Sequence, residues 1–172
     1  MPAKVDFEKD LPKAEKRVDD LDKGLKKLAT MQNKKYAEFE TLRGALMEGK
    51  DVIAENQKAI KKEKDPKKIS ALATEMEEQE KTFEKIAAKL KPIVKELGDM
   101  GTTAGNLRRS MQEEYKALQE MEKELKRTGG DMKEIKAWAD TIKTLCKTLD
   151  TAADKAASLA DEPKSLPDIP KL

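Results

Sequence analysis

Five lysines crowd one short stretch of this chain, Lys61-Lys62-Glu63-Lys64-Asp65-Pro66-Lys67-Lys68. Ammonium groups at such spacing attract the phosphates of lipid headgroups or of nucleic acid. Glu63 and Asp65 dilute the charge, and no aromatic residue accompanies it for base stacking. A solvated turn is therefore the first expectation, and contact with an anionic surface through Lys61, Lys62, Lys64, Lys67 and Lys68 is the alternative.

Other chemistry finds little material. The sequence contains no histidine, which removes the usual general base, the commonest metal ligand and every nucleophile–histidine pairing. Carboxylate pairs such as Glu77 with Glu80 are numerous and fit solvated helix surface. Asp19-Asp20-Leu21-Asp22-Lys23-Gly24 begins like a calcium loop, but the alternating oxygens do not continue and the closing glutamate is missing. The stretch from Gly98 to Gly105 lacks the Gly-Lys-Ser/Thr ending of a phosphate loop, and its glycines suggest close helix packing instead. Trp138 lies on an apolar stripe and reads as a core anchor. The single cysteine, Cys146, follows the stripe residue Leu145 and reads as a half-buried packing residue, with a disulfide between copies as the lesser alternative. These features predict a protein that is not an enzyme, with no cofactor, no metal and no small-molecule substrate.

The elements that would carry these residues are helical. Of 172 residues, 41% are charged and only 3% aromatic, too little for a thick globular core. With 36 basic and 34 acidic side chains interspersed, the net charge is +2 and no segregated basic face stands out. No run reaches the roughly 20 apolar residues of a membrane span, and the N-terminal sequence lacks a signal-peptide pattern. A cytoplasmic protein is expected, with export by a route that uses no signal left open.

Leu11, Ala14, Val18, Leu21, Leu25 and Leu28 alternate by three and four, the spacing of a coiled-coil seam. Gln32 and Lys35 then interrupt it, and Tyr36, Phe39, Leu42, Leu46, Ile53 and Ile60 suggest a stripe resuming in a slightly different phase. Asp65-Pro66 ends this helix and opens the next. There, Ile69, Met76, Phe83, Leu90, Leu97, Ala104, Met111, Leu118 and Leu125 recur at every seventh position. Gly129-Gly130 stops the second helix and Asp131 is placed to cap a third, whose stripe runs Ile135, Trp138, Ile142, Leu145, Leu149, Ala152, Ala156, Leu159. The spacing predicts helices over about 11–64, 66–127 (kinked near 92–105, because of Pro92 and the glycines) and 131–160.

Short connections make successive helices antiparallel neighbours. The predicted fold is all-α: an elongated antiparallel three-helix bundle, one domain over 1–162, with a protruding two-helix arm and a flexible, proline-containing tail at 163–172. Reflection about the first turn sets Gly24 beside Gly105. The arm carries more apolar surface than a two-stranded seam requires, and its residues Tyr36, Phe39, Leu46, Ile53, Phe83, Ile86, Ile93 and Val94 are the candidate contact surface. The resulting expectation is a scaffold or adaptor acting through protein partners, with a homo-oligomer, and a dimer first, favoured over nucleic acid or membrane.

Overall fold

The computed structural model describes residues 5–128 and 132–172. It is all-α, with helices α1 (Phe7–Lys62), α2 (Pro66–Arg127) and α3 (Met132–Asp161), followed by a 3-10 turn (Glu162–Ser165). Among the described residues there is no strand. Gly129, Gly130 and the expected cap Asp131 lie outside the described residues.

Local chemistry accounts for the helix ends. Asp6 caps α1: its Oδ1 accepts the Lys9 amide at 3.3 Å, while its own amide donates to Asp10 Oδ2 at 3.0 Å. The helix thus begins at Phe7, ahead of the first apolar residue of the stripe. Asp65 caps α2 in the same way, accepting the Lys67 amide at 3.1 Å, with Pro66 as the first helical residue. α2 runs unbroken through Pro92 and through Gly98–Gly105, so that stretch is helix.

Two compact units divide the chain: Met1–Met31 with Met100–Pro163, and Gln32–Asp99 with Lys164–Leu172. The first is a three-helix unit, and α1 and α2 run antiparallel in it: Arg17 bridges Glu114, and Gly24, farther along α1, faces Leu107, earlier in α2. Its core joins Leu11, Val18 and Leu25 of α1 to Met111, Leu118 and Leu125 of α2 and Ile142, Leu149 and Ala156 of α3. Phe7 and Trp138 close one end as stacked rings with centroids 5.2 Å apart.

The second is a two-helix unit, in which Phe39, Leu46 and Ile53 of α1 meet Phe83, Leu90 and Leu97 of α2. Gln32 is fully buried with 0% exposure, and it falls seven residues before Phe39 and seven after Leu25. The expected change of phase is therefore absent. One row runs Leu11, Val18, Leu25, Gln32, Phe39, Leu46, Ile53 without a slip, and Gln32 is its polar member. What changes is the companion row, which passes from Phe7, Ala14, Leu21 and Leu28 to Lys35, Leu42, Gly49 and Asn56.

The glycines also differ from expectation. A side chain built at Gly98 or Gly105 would meet nothing within 4 Å, and at Gly24 it would make ordinary contact with Leu107 at 3.9 Å. Leu107, not Gly105, is the neighbour of Gly24, because the helices pair two residues out of the reflected register, as Arg17 with Glu114 also shows. Gly101 alone of these is tight: a Cβ there would stand 3.1 Å from Pro163 and 3.2 Å from the Ala160 carbonyl oxygen.

Candidate interaction surfaces

The two-helix unit has two flanks, and they differ. On one, Leu42, Ala45, Gly49 and Val52 succeed one another at three- and four-residue steps along α1, as do Ile86, Lys89 and Ile93 along α2. Leu42, Ala45 and Ile86 are half-buried and Val52 is 42% exposed. A groove of about 620 Å³ opens here between Ala37, Thr41 and Leu42 on α1 and Lys89, Pro92 and Ile93 on α2, with Glu38 on its rim. Beside it Lys35 bridges Glu96 at 2.7 Å and Glu38 at 3.3 Å, and these partners, Glu96 foremost, raise the lysine's pKa. Farther along, Asn56 Nδ2 donates to Gln79 Oε1 at 2.7 Å, and the Cβ direction of Gly49 points at the Phe83 ring, 3.5 Å away.

The other flank carries Tyr36, Glu40, Arg43, Gly44 and Met47 at similar steps along α1. Here the segment that the sequence marks as a flexible tail lies against the helix. Leu166 and Pro167 join Tyr36, Phe39, Arg43 and Gly44 around a cavity of about 400 Å³. Arg43 Nε donates to the Asp168 carbonyl oxygen at 3.1 Å. Beyond the 3-10 turn, Pro167 and Pro170 deny this segment a helix, and its carbonyls and apolar side chains are left free to pack on one.

The proposed contact residues of the arm therefore separate. Phe39, Leu46, Ile53, Phe83 and Ile93 are buried at 6% exposure or less; Leu46, Ile53 and Phe83 are taken up by the seam of the two helices, while Phe39 also borders the cavity under the tail and Ile93 the open groove. Tyr36, Ile86 and Val94 are half-buried at the margins. The flank residues that sequence reading did not take as contacts are Leu42, assigned to the seam, and Pro92, read as a kink. Their signal was the steps of three and four beside the seam, hidden by attention to the most apolar positions.

At the turn between α1 and α2, Lys61, Lys62, Lys64, Lys67 and Lys68 are all exposed, and among the described residues none of them forms an ion pair. The acids beside them face inward to the backbone. Glu63 Oε1 accepts the amides of Lys64 at 3.1 Å and Asp65 at 3.2 Å, and Asp65 is occupied as the α2 cap.

In the three-helix unit a groove of about 460 Å³ between α2 and α3 is lined by Arg108, Met111, Tyr115, Lys116, Leu149 and Asp154 among others. No group of three or more histidine, cysteine or acidic residues among the described ones could hold a metal ion. Burial pushes the Cys146 thiol pKa up, aided by Glu122 and Asp150, so the cysteine is less reactive than an ordinary thiol. The guanidinium of Arg17 is held protonated by Glu114, whose two oxygens both accept from its Nε at 3.0 Å. Among the described residues no helix is long and apolar enough to cross a membrane. Comparison with protein-family models, with curated proteins and with solved structures finds no match to this chain.

Proposed function

We propose that the chain is a non-enzymatic helical scaffold or adaptor that works by protein–protein contact, and that the contact is self-association through the open flank of the two-helix unit. The observation that supports this reading is the apolar groove lined by Leu42, Pro92 and Ile93, with the exposed Val52 farther along the same flank. A second copy fits it by symmetry. Glu38 borders the groove from α1 and Lys89 from α2, so a copy related by a two-fold axis brings Lys89 to Glu38 and Glu38 to Lys89.

Light scattering over a dilution series tests this on the full chain and on Leu42→Glu/Val52→Glu. The expected result is a dimer that the double substitution converts to a monomer with unchanged helical circular dichroism. A full chain that is monomeric at high concentration would sink self-association and assign the flank to a different protein.

A second reading, contact with anionic lipid or nucleic acid through the lysine turn, gains support from the inward-turned Glu63 and Asp65, which leave the five ammonium groups facing solvent. Binding to anionic vesicles or to DNA that falls with salt, and disappears on changing all five lysines to Gln, is the result this reading requires.

A further inference from the structure

The flank covered by the tail carries a site of a different kind. A proline-bearing segment without helix lies on α1 through Leu166, Pro167 and Asp168, and the features that hold it are those of a peptide-recognition groove. Tyr36 and Phe39 supply aromatic surface to Leu166 and Pro167. Arg43 reads a backbone carbonyl, that of Asp168, and any extended peptide offers a carbonyl there whatever its side chains. The fit is also incomplete. About 400 Å³ remains open between helix and segment, and a Cβ at Gly44 would meet nothing within 4 Å. Among the described residues no ion pair ties residues 166–172 down.

We infer that this groove is a docking site for an extended, proline-broken apolar peptide, that residues 166–172 occupy it in cis, and that a partner enters by presenting a like segment in their place. The cis segment sets a threshold. A tethered peptide acts at an effective concentration on the order of millimolar, so an incoming peptide must displace it to bind. The sequence Leu166-Pro167-Asp168-Ile169-Pro170 defines the chemistry of the incomer: a leucine–proline pair for the aromatic surface, a carbonyl for Arg43, and prolines that keep the chain extended and lower the ordering cost of docking.

A fluorescent peptide spanning 164–172 tests the site by anisotropy, against the full chain and against a chain ended after Ser165. Saturable binding to the shortened chain is expected, with affinity for the full chain weaker by about ten-fold or more because the site is already filled. Arg43→Ala in the shortened chain should weaken binding several-fold, and a scrambled peptide of the same composition should not compete. Circular dichroism of each chain confirms that α1 is intact. No saturable binding to a shortened chain of normal helicity would overturn the inference, as would equal affinity for both chains or indifference to Arg43. The site lies on the opposite flank from Leu42 and Val52, so repeating the titration in the Leu42→Glu/Val52→Glu background separates its failure from a failure of self-association.

Discussion

The three-helix and two-helix units are threaded by the same seven-residue row, yet they use its companion row in opposite ways. In the three-helix unit the companion positions of α1 are Phe7, Ala14, Leu21 and Leu28, all apolar, because a third helix is there to cover them. In the two-helix unit the same row reads Lys35, Leu42, Gly49 and Asn56. Two of the four are met by polar partners on α2, Lys35 by Glu96 and Asn56 by Gln79, and Gly49 faces the Phe83 ring. The contrast shows what a helix pair does without a third neighbour. It keeps one apolar row inside and fills much of the second with groups that tolerate water.

The largest effects are expected from emptying equivalent core positions in the two units. Leu118 and Leu90 are both fully buried on the main row of α2, one in each unit. Leu118→Ala should cost about 3–5 kcal/mol in chemical denaturation, and Leu90→Ala should fall nearer 2, because a two-helix seam can close over the gap more readily. Equal losses would mean that both seams are equally rigid. Glycines give an opposed pair in the next range. Gly101→Ala should destabilise the three-helix unit by about 1–3 kcal/mol, since the added carbon meets Pro163 and the Ala160 carbonyl. Gly105→Ala, one turn on in open space, should stabilise by up to about 1 kcal/mol through helix propensity. Thermal unfolding that moves in the same direction for both would contradict the packing described.

Smaller effects sharpen the polar side. Asn56→Ala should cost about 1 kcal/mol by orphaning Gln79, and Asn56→Leu with Gln79→Leu should recover most of it. A double variant as weak as the single one would show that the amide pair is not what the helices share at that level. The smallest change concerns Cys146. A raised thiol pKa favours the protonated form, so its contribution to stability is present below the ordinary thiol range and is lost as pH rises through the raised value. Alkylation of the folded chain should be slower than of the unfolded chain at mildly alkaline pH, with its pH profile displaced upward.

Helix number and the main row of α2 were legible because every seventh residue from Phe83 to Leu125 is apolar and buried. The cap at Asp65-Pro66 was legible from residue type alone. The continuity of α1 was harder to see. A single buried Gln32 inside an apolar row resembles an interruption, and only the burial of Phe39 seven residues on shows that it is not one. Phe7 was missed because its partner, Trp138, stands in a different helix. The tail's place was illegible for a related reason. Prolines announce the absence of a helix, but nothing local announces that Arg43, far away in sequence, will receive the carbonyl of Asp168. Candidate contacts were drawn to the largest apolar side chains, which are the ones a seam consumes first.

Gly101 and Pro163 constrain each other, because a methyl group at 101 would stand 3.1 Å from the ring, closer than ordinary contact allows. Such a pair should drift together in evolution. In any descendant or cousin of this chain, acquiring a side chain at the first position should coincide with loss of the proline at the second, whereas Gly24, Gly98 and Gly105 should wander freely. That asymmetry among glycines would be a signature by which distant kin could be recognised long after the charged surface had changed beyond alignment.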